Sequence, residues 1–373
     1  MLINLGGTFI HVMEIPVIIV LLLGTLTYFF KHGFTIRVIN DKNVIFIVFS
    51  FLCYLGAILI SSINAYNSGL VLKSLFKWLE IYFIGFLVLI NTYCWRNYFK
   101  YYTILFIAPF LLILEIIFLV SIGQLNFLSF RVFPGNEALY SLALIMPFLD
   151  KRKWYLILIL LICSLSVALS LSRGAWLMYF VVLFYSFTYN SKKSRKFITL
   201  FVIASILGLF LIPGVKELFL LRWDTFASAE NTSNIERVAL IKYAFFAFCE
   251  NPIFGVGSLN FPLYFINKGL MEGIYAEKFE ILEPHNAFLQ VAAEEGTIGL
   301  LFFTLLFFFL GRFLFTVKWK NQDKNIYLYG LRGFFLVLIS NLFYGYIASQ
   351  FRFYLALFFG LVISIRQEYN EPC

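Results

Sequence analysis

Apolar runs long enough to cross a bilayer recur along most of this chain, separated by short loops rich in Lys and Arg. A hydrocarbon core of about 30 Å takes roughly twenty such residues per helix. On that scale the runs fall at 14–31, 43–62, 74–92, 99–122, 134–149, 154–171, 174–190, 197–214, 286–315, 326–345 and 351–366, about eleven spans. The fold class this predicts is all-α, a polytopic transmembrane helical bundle. The fifth run is short and carries Pro134 and Pro147, and the ninth opens with a semi-polar turn or two before the stretch Ile298 to Leu310. Only 13% of residues are charged and mean hydropathy is +0.88, which excludes an ordinary soluble domain.

The net charge of +9 does not point to nucleic acid, because the positive residues sit between spans, where they set topology. One set of loops holds Lys31, Arg37 and Lys42; Arg96 and Lys100; Lys151, Arg152 and Lys153; Lys192, Lys193, Arg195 and Lys196; and Lys318, Lys320 and Lys324. The alternate short loops carry little beyond Arg131, Arg173 and Arg352. The charged set is expected in the cytoplasm, with the long segment 215–285 and the N-terminus outside. The chain then divides into spans one to eight over 1–214, an outer loop over 215–285, and spans nine to eleven with a short cytoplasmic tail over 286–373. Five cysteines at 53, 94, 163, 249 and 373 show neither CxxC nor metal-type spacing, so neither a disulfide framework nor a cysteine metal site is expected.

Three polar groups stand out against this apolar background. His285, one of three histidines, lies in Glu283-Pro284-His285-Asn286-Ala287-Phe288-Leu289-Gln290, where the outer segment meets the ninth span. Histidine moves protons near neutral pH, although a lone one at a membrane surface is also ordinary. Arg173, in Ser172-Arg173-Gly174-Ala175, sits at a tight turn between two spans; it reads either as a snorkelling residue or as a group facing a cavity. Arg237 lies on a segment that Ser233 or Asn234 can cap, with Val238, Ile241, Phe245 and Phe248 at helical spacing. That segment reads as an amphipathic helix running to about Glu250 and stopped by Asn251-Pro252, and Arg237 on it can equally be half of a surface ion pair. The turn Phe254-Gly255-Val256-Gly257 lacks the strand and the remaining glycine of a nucleotide fingerprint. Lys73, Lys77 and Glu80 open the third span, with Lys77 in reach of Glu80 across one turn, and Glu115 sits deep in the fourth.

In this order the pieces resemble the O-antigen ligase and polymerase superfamily, over roughly residues 155–315. Ser172-Arg173-Gly174-Ala175 opens a span. Arg237 is followed by Asn251-Pro252, Phe254-Gly255-Val256-Gly257 and Asn260-Phe261. His285-Asn286-Ala287-Phe288-Leu289-Gln290 leads to Glu294-Glu295-Gly296-Thr297-Ile298-Gly299-Leu300. The resemblance implies a glycosyltransferase of the cytoplasmic (inner) membrane, its site facing the periplasm or exterior. Its donor would be a glycan on undecaprenyl diphosphate and its acceptor a sugar hydroxyl on a glycan, lipid A-core or protein. In that role Arg173 and Arg237 bind the diphosphate and His285 is the base. Asn286 orients His285 or the sugar, and Glu295 ties helix ends together. The transfer would be metal-independent, would need no cofactor and would invert the anomeric centre. A polymerase joining repeat units on the same carrier uses the same donor chemistry. A lipid-linked glycan transporter without chemistry is a more distant alternative.

Overall fold

The computed structural model describes residues 2–5, 8–11, 22, 42–94, 135–151, 154–170, 172–211, 232–269, 283–317, 322–344, 352 and 354–362. The expected spans 14–31 and 99–122, the latter with Glu115, lie outside the described residues apart from position 22. The helical expectation holds with one addition, a short antiparallel hairpin. Its strands β1 (Leu2–Leu5) and β2 (Thr8–His11) pair Leu5 with Thr8, and a Gly-Gly pair separates them in sequence. Two consecutive glycines supply a strong two-residue hairpin signal, and a reading tuned to twenty-residue apolar runs passes over segments this short.

The helices that follow are α1 (Lys42–Ile60), α2 (Ser68–Cys94), α3 (Gly135–Ile145), α4 (Trp154–Leu169), α5 (Arg173–Tyr189), α6 (Lys192–Leu211), α7 (Thr232–Glu250), α8 (Phe261–Asn267), α9 (Ala287–Thr316) and α10 (Gln322–Tyr344). Among the described residues, three stretches are long and apolar enough to cross a membrane: Lys42–Asn64, Ala287–Thr316 and Asn325–Phe343. On α1 the outward residues Phe46, Phe49 and Leu52 are about half exposed, which suits side chains that face lipid.

The chain forms two compact units. The first comprises Met1–Val20, Cys94–Asn231 and Lys318–Ser340. Its centre is α3, buried without interruption from Ala138 to Leu149 and packed on α4 and α5. Small residues at Ala138, Ser141 and Ala143 let neighbours approach it closely. The helix tightens to a 3-10 turn over Met146–Lys151, where Pro147 removes a backbone donor. Asn190 seals the next end of chain: its backbone N–H donates to Ser186 O at 3.2 Å, and its side chain donates to the same carbonyl at 3.0 Å.

The second unit comprises Leu21–Tyr93, Thr232–Val317 and Asn341–Cys373. Here α1 packs along α9, and an aromatic cluster fastens α2 to both. Trp78 meets Tyr54 edge-on at 4.9 Å and Phe303 at 6.1 Å, and Phe303 contacts Phe288 at 5.6 Å. A second core joins α7 and α8 to α9 through Leu240, Ala244, Ala247, Phe261, Phe265 and Ala293. Gly85 and Gly360 allow α2 to run close against the helical stretch 354–362, since a Cβ on Gly360 would meet Gly85 O and Val88.

Candidate functional site

The ninth span is a single run in the sequence but is broken in the structure. At Gly296 the backbone takes φ 69° and ψ −164°, which no helix contains. A break of this kind strands carbonyls before it and N–H groups after it. The turn after α7 supplies their partners. Val256 N–H donates to Ala293 O at 3.0 Å and Gly257 N–H to Glu294 O at 2.9 Å. On the far side Thr297 N–H donates to Pro252 O at 2.8 Å, reinforced by the Thr297 hydroxyl at 2.7 Å, and Ile298 N–H reaches Ile253 O at 3.5 Å. Gly255 and Gly296 both have positive φ, and a Cβ on either would fall on the other segment, at Glu294 C and Ile253 O respectively. The Phe254-Gly255-Val256-Gly257 turn is thus a patch fitted to a broken membrane helix.

Two buried carboxylates, Glu294 and Glu295, immediately precede the break. Glu294 accepts from Leu259 N–H at 3.0 Å and Phe261 N–H at 3.4 Å, capping α8, whose own N-cap Asn260 makes no side-chain bond to it. Asn260 is instead turned to the corner between α1 and α2: it accepts from Asn67 N–H at 2.8 Å and donates to Asn67 O at 3.2 Å. Glu295 accepts from the Ser258 hydroxyl at 2.8 Å, Ser258 N–H donates to Ser61 Oγ at 3.1 Å, and Ser74 Oγ lies 2.8 Å from Ser258 Oγ. One hydrogen-bonded layer therefore ties α1, α2, the 252–260 turn and α9 together.

His285 stands directly before this helix. Pro284 restricts Glu283 to extended conformations, so α9 cannot extend back through Glu283-Pro284-His285, the strap that leads into it. His285 then takes φ 50°, in the left-handed region, where a non-glycine residue is held at a cost of about 1–2 kcal/mol. Asn286 returns to extended backbone and is the N-cap of α9, its side chain accepting from Leu289 N–H at 3.0 Å. The Asn286 carbonyl oxygen that could orient His285 is thus engaged by the helix start. Phe288, one turn on, packs its ring at a tilt against Phe343 at 5.2 Å and edge-on against Phe303, which fixes where the helix begins. His285 itself is half-buried.

The other expected site residues are placed as follows. Arg237 is exposed near the start of α7, in the same unit as His285, Asn286 and Glu295. Arg173 is the first residue of α5 in the other unit, where Ser172 caps the helix by accepting from Ala175 N–H at 3.4 Å and Ala175 is fully buried. The turn residues around Arg173 are thereby fixed by a cap and a buried small side chain.

A further set of charges gathers beside the strap. Glu283 interacts electrostatically with Lys77 of α2 and with Arg352, and its Oε2 is buried without a hydrogen-bond partner among the described residues. Burial pushes its carboxyl up to about 7, while Arg352 and Lys77 pull it down. Lys77 also feels Glu294. The sequence offered Lys77 a partner at Glu80, one turn away; in the structure the carboxylate it interacts with at Glu283 is 206 positions distant, which no local spacing announces.

These features define a membrane protein whose polar groups collect around a broken span and the strap that enters it. Residues 158–304 match the protein family described as O-antigen ligase, a stretch that contains Arg173, Arg237 and His285. The superfamily that the motifs resemble is supported over that stretch, and with it a membrane enzyme of the O-antigen ligase and polymerase kind. The chain matches no curated protein.

Proposed function

We propose that this chain is a glycosyltransferase that moves a glycan from undecaprenyl diphosphate to a sugar hydroxyl on the outer face of the cytoplasmic membrane, as a ligase. The observation that carries this reading is the enclosure of Arg173, Arg237 and His285 within the family match, with His285 on a strained backbone at the capped start of α9. Strain of this kind persists only where the surroundings hold it, and it collects at functional positions.

The chemistry follows from the residue types. The acceptor oxygen bonds to the anomeric carbon and its proton passes to the His285 imidazole. The bond from that carbon to the diphosphate oxygen breaks, and the electron pair leaves with the diphosphate. Attack opposite the leaving group inverts the anomeric centre. Arg173 and Arg237 stabilise the growing negative charge, because guanidinium groups stay ionised and pair with phosphate oxygens through two parallel bonds. Asn286 acts on the base through the backbone: by capping α9 it fixes the residue at which the left-handed turn occurs.

The test is an electrophoretic profile of carrier-linked and surface glycans in cells with the wild-type protein, without it, and with His285→Ala. The expected result is loss of surface glycan with long polymers stranded on the carrier, in both the null and the variant, at wild-type protein levels. Single repeat units in place of a ladder assign the protein as a polymerase. A wild-type profile from His285→Ala removes the histidine as the base.

A further inference from the structure

The stripe that gives α7 its amphipathic spacing is not the face that packs. Leu240, Ala244 and Ala247 are the residues of α7 that enter the core with α8 and α9. Val238, Ile241 and Phe245, at i, i+3 and i+7, lie on another face and are 66%, 41% and 53% exposed. The helix thus carries two apolar faces, one covered by the protein and one open. Cations border the open face, Arg237 on one flank and Lys242 on the other. Both are exposed, and Lys242 Nζ lies 5.6 Å from the centroid of the Phe246 ring. An apolar stripe between basic flanks suits the boundary of a bilayer. There the rings and branched chains enter the acyl region while the cationic side chains reach back to the headgroups.

The surroundings put such a boundary beside α7. Beyond the break at Gly296, the part of α9 from Ile298 to Thr316 is about twenty residues, enough alone to cross a hydrocarbon core of about 30 Å. The break, and the 252–257 turn docked on it, then stand at the end of that crossing. Exposed apolar side chains continue through this junction. Ile253, whose carbonyl accepts from Ile298 N–H, is followed down α9 by Leu301, Phe308 and Phe315, seven apart on one line. All four are about half exposed. The last three belong to a helix long and apolar enough to cross a membrane. Helix α7 ends at Glu250, three residues before Ile253, so it reaches this line at its own C-terminal end.

We infer that α7 is an interfacial helix, with Val238, Ile241 and Phe245 immersed in the acyl region of the adjoining leaflet and Arg237 and Lys242 level with the phospholipid headgroups. Cys249 is exposed and lies seven residues beyond Lys242, hence in line with it at the water edge. Beside it Glu250 pairs with Lys268 at 2.9 Å, which marks the polar end of the helix. The bilayer thereby steadies α7 from one side and the core around Leu240, Ala244 and Ala247 from the other, and the turn that patches the broken span is held between them. The immersion rests on burial and spacing and is independent of the reaction proposed above.

Nitroxide labels on single cysteines test this in the full-length protein in phosphatidylcholine liposomes, with the other native cysteines replaced. A label at Phe245→Cys is expected to be reached by dissolved oxygen and shielded from a water-soluble nickel chelate, to the same degree as a label at Leu301→Cys. A label on native Cys249 is expected to be open to the chelate. Chelate access at Phe245→Cys equal to that at Cys249 puts the face in water and overturns the inference. Shielding from both reagents means that protein covers the face, a second copy or another partner, and overturns it equally. Photolabelling of the unaltered protein needs no substitution. With a phosphatidylcholine that carries a diazirine on its acyl chain, adducts are expected on residues 238–248 and on 301–308. Adducts on α9 without any on α7 overturn the immersion whatever the nitroxide variants show.

Discussion

At the scale of single residues, Glu283 joins the chemistry of the strap to its stability. Its carboxyl ionises near 4.5 in an unfolded chain and near 7 in the folded one, because burial outweighs the pull of Arg352 and Lys77. The folded state therefore holds a proton between those values that the unfolded chain has released. The contribution of Glu283 to stability is full below about pH 4.5, declines as pH rises, and is lost once pH passes about 7. Thermal melts of the purified protein across pH 5 to 8 are expected to show this decline, and Glu283→Gln is expected to flatten it; an identical slope in the variant places the titration elsewhere. Neighbouring His285 was conspicuous in the sequence, as one of three histidines at the foot of a span. Glu283 was not, because its importance comes from Lys77 and Arg352, and no periodicity links positions 77, 283 and 352. Asn286 shows the same limit in a smaller way. Its amide suggests a partner for histidine or sugar, whereas the helix start takes its side-chain oxygen.

Helices were the most legible elements. The capping residues near 233 and the stop at Asn251-Pro252 bracket α7 as it stands, Thr232–Glu250, and the runs at 43–62 and 286–315 correspond to α1 and α9. The break in α9 was hidden, because glycine occurs within ordinary membrane helices and the apolar run continues beyond it. Its cause lies about forty residues away, in the carbonyls and N–H groups of 252–257. Gly255→Ala and Gly296→Ala each place a methyl group on the backbone of the opposite segment, at a residue with positive φ. Both are expected to cost several kcal/mol, since clash, backbone strain and unpaired buried groups add. Size-exclusion profiles of detergent extracts check this: Gly255→Ala and Gly296→Ala should yield little monodisperse protein, while Gly269→Ala, where a Cβ meets nothing within 4 Å, should extract with less loss. Equal yields from all three contradict the interlocked glycine pair.

Across the whole molecule, the chain forms two units that each draw on distant segments. Arg173 belongs to one and His285, with Arg237, to the other. The basic loops gave an orientation that places the segment carrying α7 outside the cell, and the cysteines offer a direct check. Cys249 is exposed at the end of α7, while Cys163 is buried within α4. In intact cells a membrane-impermeant maleimide is expected to label a variant retaining only Cys249, and not one retaining only Cys163. Labelling of Cys249 only after the membrane is opened would reverse the topology and move the proposed site to the cytoplasm.

The patched break in α9 also bears on how the chain is made. A span with stranded carbonyls and N–H groups enters hydrocarbon badly, each bare group costing several kcal/mol. Synthesis runs from the N-terminus, so residues 252–257 have left the ribosome before Gly296 does. The partners for the broken span have thus emerged before it does, and the segment that ends as a patch can serve first as its receiving cradle. A circular permutant that placed 252–257 after α9 would retain every contact of the finished fold and lose that order of arrival.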